Sequence, residues 1–99
     1  MDTYYTYILT NFRKTVLYVG VTQNIQKRII EHKQGIGSHF TKKYNVHMLV
    51  HVETYDSIKD AISREKQLKS GSRVKKELLI NKNNPKWEDL YKQWIEDMK

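Results

Sequence analysis

Ninety-nine residues with no cysteine carry a formal charge of +7, from 18 Lys and Arg against 11 Asp and Glu. A chain of this length predicts one compact domain with a modest core, and the missing thiols exclude disulfides, thiolate zinc sites and cysteine nucleophiles, which fits a reducing compartment. No secretory leader and no run near the ~20 apolar residues of a membrane span can be read, so the expectation is a soluble, cytoplasmic protein with no membrane partner.

In chain order, residues 4–10 and 15–21 are rich in Tyr, Thr, Val, Leu and Ile, types that suit a pleated surface. With the polar stretch Asn11-Phe12-Arg13-Lys14 between them, they read as a hairpin. Both faces of each run carry apolar groups, so the sheet is expected to be covered on both sides. Asn24 offers an N-cap to a helix running to about Gln34, which the tail Gly35-Ile36-Gly37-Ser38 ends. A basic loop, Thr41-Lys42-Lys43-Tyr44-Asn45, leads to a third strand over Val46–Glu53. Ser57-Ile58-Lys59-Asp60 has the serine and acidic residue of a capping box, opening a helix with Ile58, Ala61, Ile62 and Leu68 on one stripe and an end at Ser70-Gly71. Ser72 can cap the next helix, with Val74, Leu78 and Leu79 facing inward and a stop near Asn81-Lys82-Asn83. A last helix is expected from Asn84-Pro85, over about 85–97, carrying Trp87, Leu90, Tyr91, Trp94 and Ile95.

The charge is clustered. Residues 27–43 hold five positive and one negative side chain, and residues 59–82 eight and three, whereas 44–58 and 85–99 are slightly acidic. Two basic blocks of this kind attract a polyanion by releasing condensed counterions. The two blocks flank the predicted site. The hairpin brings Tyr7 and Tyr18 near each other. Arg28 and His32 follow at an i, i+4 spacing beside the Ile25/Ile29 stripe, where a guanidinium can grip phosphate oxygens and an imidazole can exchange a proton. Glu65 falls inside the apolar stripe of its helix, and a carboxylate there needs a salt-bridge partner, a shifted pKa or a bound cation. A phenol would have to be driven toward phenolate by Arg28 or a metal-bound water before it could activate a nucleophile. Asn84, before Pro85, suits a helix cap. His47 and His51, four apart on a strand, are assigned no metal.

These residues, in order, resemble the GIY-YIG nuclease domain, in particular its small single-domain bacterial members. The first signature reads Tyr5-Thr6-Tyr7, with Tyr5 where the family has glycine, and the second Tyr18-Val19-Gly20. Thr22, Arg28, Phe40-Thr41-Lys42-Lys43-Tyr44, Arg64-Glu65-Lys66-Gln67-Leu68-Lys69 and Asn84-Pro85-Lys86-Trp87 follow, so the likeness covers nearly the whole chain. It implies an α+β fold, a three-stranded antiparallel sheet flanked by about four helices, in agreement with the elements read above. It also implies metal-dependent cleavage of DNA phosphodiesters: Glu65 holding one Mg²⁺ or Mn²⁺, Tyr18 or Tyr7 helping to activate water, Arg28 steadying the phosphate, and His32 at a further position used by some members. Lys42, Lys43, Arg64, Lys66, Lys69 and Arg73 are assigned to nucleic acid, and Gly20 and Asn84 to a structural or site role. The competing readings are a nucleic-acid-binding module that cleaves weakly or not at all, and an interaction protein docking through Trp87 and Trp94. A protein partner supplying specificity is a further expectation.

Overall fold

The computed structural model describes residues 2–97, with side chains through Trp94; the Ile95 side chain placed above on the last helix lies outside the described residues. The elements are β1 (Tyr4–Thr10), β2 (Leu17–Thr22), α1 (Ile25–Lys33), α2 (His39–Lys43), β3 (Met48–Tyr55), α3 (Ile58–Ser70), α4 (Arg73–Asn83) and α5 (Leu90–Asp97). The sheet is antiparallel throughout, in the order β2-β1-β3, so β1 is central and β2 is an edge. The architecture is the expected α+β one with a fifth helix. The segment read as a basic loop contains α2, because the Ser38 hydroxyl oxygen accepts from the Thr41 amide and caps a short helix there.

Alternation along β1 sends Tyr7 and Leu9 to one face, where they pack with Ile25, Ile29, Val46 and Leu49, with Leu90, Tyr91 and Trp94 against them. Ile8 goes to the other face with Val19, Val50, Leu68, Ile80 and Trp87. Each fully buried aliphatic side chain contributes roughly 1.5–3 kcal/mol, so neither face is dispensable. Trp87 is buried in the second layer, and Trp94 packs half-buried against the first. The hairpin is closed by Asn11, whose side-chain oxygen accepts from the amides of Thr15 and Val16, with Lys14 in the left-handed region at φ 60°.

The inward orientation expected for α4 is corrected at two positions. Val74 and Leu78 are exposed, and Ile80 is the residue that reaches the core. The phase of α4 is set at its start: Ser72 caps it, and the Arg73 guanidinium donates to the Lys14 and Thr15 carbonyls at 2.8 Å each, turning Val74 outward. The last helix is also corrected, since it starts at Leu90 and not at Pro85. Trp87 has φ 55°, which a right-handed helix excludes. Asp89 provides the effective start, its carboxylate accepting from the Tyr91 amide.

Residues 85–89 and Asn84 serve the sheet. Ile8 pairs with His51 and Leu9 with Leu49, leaving Val50 as an extra residue in a bulge. Asn84 donates to the freed Val50 carbonyl, while Asp89 accepts from the Leu49 amide. Asn84 thus has a structural role, as the C-cap of α4 and not as a helix N-cap. Asp89 also pairs with Lys33 at 2.7 Å, tying α1 to this segment.

Candidate functional site

The cluster grows from β1. Its alternation points Tyr7 beneath α1, and Gly20 stands opposite it on β2. A side chain at Gly20 would run into the Tyr7 phenol, so glycine here is required by close approach, not by its backbone angles. The Tyr7 hydroxyl lies 3.0 Å from His32 Nε2, and His32 Nδ1 lies 3.1 Å from the Thr41 hydroxyl. The Thr41 hydroxyl donates to the Ser38 carbonyl at 3.2 Å and lies 2.9 Å from the Ser38 hydroxyl. That donation leaves Thr41 Oγ1 as acceptor for His32 Nδ1–H, which assigns Nε2 as acceptor for the Tyr7 proton. Gly37 closes the line, since a side chain there would collide with the imidazole.

This line is dry. Tyr7 is 1% and His32 2% exposed. Burial pushes the Tyr7 phenol up to about 12, against the pull of the nearby Arg28 guanidinium. Burial and then the Arg28 charge bring His32 down to about 4. At neutral pH both are uncharged, and transfer of the proton from Tyr7 to His32 is strongly uphill.

Tyr18 is the accessible phenol. It lies at the free edge of the sheet, half-buried, with its ring 5.5 Å from His32 and 6.5 Å from Tyr7. Arg28, one turn before His32 on α1, keeps a loose pair with Glu31 at 3.5 Å. Burial works against its charge, but the hydrogen bond to the Tyr7 phenol, with the charges of Tyr7, Tyr18 and Glu31, outweighs it, so its pKa is raised. Glu65 arrives from the opposite face. The buried Thr6 hydroxyl donates to the Ala61 carbonyl at 2.8 Å and docks α3 on β1, and Glu65 lies one turn further along. Its charge reaches Tyr7 and adds to the rise there. Among the described residues its one ionic partner is Lys69, whose Nζ lies 3.4 Å from a single carboxylate oxygen.

Could this site hold a metal? Among the described residues no group of three or more His, Asp or Glu side chains is arranged to do so. Tetrahedral zinc is therefore not served. One carboxylate with an uncommitted oxygen, 17% exposed as a side chain, does fit magnesium or manganese bound mainly by water and substrate phosphate.

The basic residues divide into two sets. Lys42, Lys43, Lys66 and Lys69 are exposed. Arg64 and Arg73 also make contacts within the protein. Arg64 grips both oxygens of Glu53 at 2.8 and 3.1 Å and donates to Gln67; Arg73 holds the hairpin carbonyls and pairs with Glu77. Each guanidinium directs three of its five N–H donors to the protein in this way. Sequence reasoning missed Ser38, Thr41 and Gly37, which hold His32. A serine three residues before a threonine after a glycine-rich tail was the available signal for a capped turn.

The model of the GIY-YIG catalytic domain matches residues 3–84 of the chain. A UPF0213 protein of Syntrophus aciditrophicus is 44% identical over 84 residues, covering 84% of this chain and 95% of its own. One from Natronomonas pharaonis is 42% identical over 77 residues, covering 78% and 89%. The solution NMR structure of a UPF0213 protein from Bacillus halodurans superposes with a TM-score of 0.57 at 30% identity, covering 89% of this chain and 93% of that one.

Proposed function

The chain belongs to the GIY-YIG family, a nuclease-type family, and from that premise we propose that it hydrolyses DNA phosphodiester bonds with the help of one Mg²⁺ or Mn²⁺. The observation that carries the proposal is Glu65, whose carboxylate keeps an uncommitted oxygen while its charge still reaches the phenol cluster. Among the described residues no helix is long and apolar enough to cross a bilayer.

In this reading Glu65 would hold the metal, which would supply Lewis-acid polarisation of the phosphate and lower the pKa of the attacking water. Arg28 offsets the negative charge that grows on the non-bridging oxygens as the water oxygen bonds to phosphorus and the P–O bond to the leaving sugar oxygen breaks. Tyr18 hydrogen-bonds and orients the attacking water from the accessible side. Tyr7 and His32 are positioning residues: their closed line to Thr41 fixes the ring against which Tyr18 packs. Lys42, Lys43, Lys66 and Lys69 attract the backbone.

The test is incubation of end-labelled single-stranded, duplex and branched DNA with Mg²⁺ or Mn²⁺, comparing the wild type with Glu65→Ala and Arg28→Ala. Cleavage that disappears in both variants is the expected result. Salt-sensitive binding that leaves every substrate intact would overturn the hydrolytic reading in favour of a binding module.

A further inference from the structure

The rings around Tyr18 continue away from the buried line and out to the surface. Tyr18 stacks on Phe40 with centroids 5.9 Å apart and planes at 27°, and Phe40 meets Tyr44 at 4.8 Å. Phe40 is 40% and Tyr44 42% exposed. Lys43 Nζ lies 5.3 Å over the Tyr44 ring. A hollow of about 340 Å³ runs beside Phe40, bordered by Leu17, Tyr18, Val19, Lys69 and Lys76. Single exposed apolar side chains, such as Phe12 at the hairpin tip, are ordinary. A run of three aromatic rings, two of them open to solvent and bordered by lysines, is a different surface.

We propose that Phe40 and Tyr44 form a stacking platform for an unpaired nucleobase of the DNA strand whose phosphate enters the site. Aromatic faces flanked by cations suit a base joined to a phosphodiester backbone, since every base has a π-face and its backbone carries negative charge. Charge complementarity comes from Lys43 and Lys76. Lys69 contributes as well, although it also pairs with Glu65. Continuity comes from Tyr18, whose ring touches His32 on one side and Phe40 on the other. A base within a duplex has both faces covered by its neighbours. The platform therefore selects a strand that is single, frayed, flapped or carrying an extruded base. Tyr44 closes α2 as its C-cap and Ser38 opens it, so the turn that holds Thr41 against His32 also presents the platform.

The inference rests on the nuclease reading for the identity of the strand, but its test does not require cleavage. A single-stranded 12-mer with one 2-aminopurine is titrated with protein in EDTA, and fluorescence quenching reports stacking. A blunt duplex of the same sequence is the comparison. Phe40→Ala is expected to weaken single-strand binding roughly tenfold and to abolish quenching. Phe40→Trp should retain both, and duplex affinity should change less than twofold in either variant. Folding is checked by circular dichroism, and the exposure of Phe40 makes a folded variant the expectation. Unchanged single-strand affinity in Phe40→Ala overturns the platform even if the wild type cleaves DNA. Loss of self-association in Phe40→Ala, with DNA affinity intact, would instead identify the surface as a contact between copies of the chain and also overturn it. Quenching by a wild type that never cuts DNA would uphold the platform while the hydrolytic reading falls.

Discussion

Two regions of the molecule contain the same four residue types and use them in opposite ways. At the β3 edge, Glu53 accepts from Arg64, Tyr55 and His51 at 2.6–3.1 Å. Burial alone would push its carboxyl up, yet these donors bring it down to about 2. Tyr55 rises to about 12 through burial and its bond to Glu53, and Arg64 is raised chiefly by its bond to the same carboxylate. At the β2 edge, His32 is closed off between Tyr7 and Thr41, but Glu65, Arg28 and Tyr18 form no such closed set with it. Glu65 has one ion pair at 3.4 Å and Arg28 one at 3.5 Å. The lesson is that residue types alone do not mark a site. A network whose donors and acceptors satisfy one another stabilises the fold, and one with an uncommitted carboxylate oxygen beside a loosely paired guanidinium is available to a ligand.

The sharpest contrast to test is between the arginines. Arg28→Ala is expected to lower the cleavage rate by about 10²–10³-fold, with the thermal midpoint nearly unchanged. Arg64→Ala should leave turnover per folded molecule intact and lower the midpoint, read by differential scanning fluorimetry; equal effects in both assays would erase the distinction. Glu53→Gln should cost about 2 kcal/mol by weakening charge-assisted bonds to Arg64, a fall of roughly 8–16 °C for a domain of this size. The phenols form the next pair. Tyr7→Phe leaves His32 Nε2 without its buried donor and should cost about 1–2 kcal/mol in denaturant melts, whereas Tyr18→Phe should cost less stability and more activity. The reverse ranking would mean that the buried phenol, and not the edge one, faces the substrate.

The pH dependence separates the two clusters in a further way. His32 has a folded pKa of about 4, below its ordinary 6.5, so the fold favours its neutral form. That contribution is complete above about pH 6.5 and declines as pH falls toward 4, because the unfolded chain takes up the proton first. Glu53, held at about 2 against an ordinary 4.5, contributes above 4.5 and loses its contribution between 4.5 and 2. Urea midpoints measured across pH should therefore show two windows. His32→Gln flattens the upper and Glu53→Gln the lower; a single window that both variants share would contradict the separation of the two clusters.

Much of this was legible in the residues, for physical reasons that differ from case to case. Alternation and a polar turn are local, so the Tyr7–Tyr18 hairpin could be read directly. Glu65 stood out because a charge in an apolar stripe breaks a periodic pattern. The Arg64–Glu53 pair could not be read, because Glu53 lies on a different element and a long-range ion pair leaves no mark in the local sequence. Asn84-Pro85 suggested a helix start, since proline suits a first turn. What places that segment is a bulge at Val50, which creates a carbonyl for Asn84 and could not be read from the strand's own residues. The short helix α2 was hidden by its glycine-rich approach and basic composition.

The most direct measurement is the rate of Mg²⁺-dependent cleavage of single-stranded DNA by Glu65→Gln and Glu53→Gln, each normalised to folded protein. The predicted result is a loss of at least about 10²-fold for Glu65→Gln and a change within about threefold for Glu53→Gln. Equal losses, or a wild-type rate retained by Glu65→Gln, would contradict the claim that the uncommitted carboxylate is the metal-holding group.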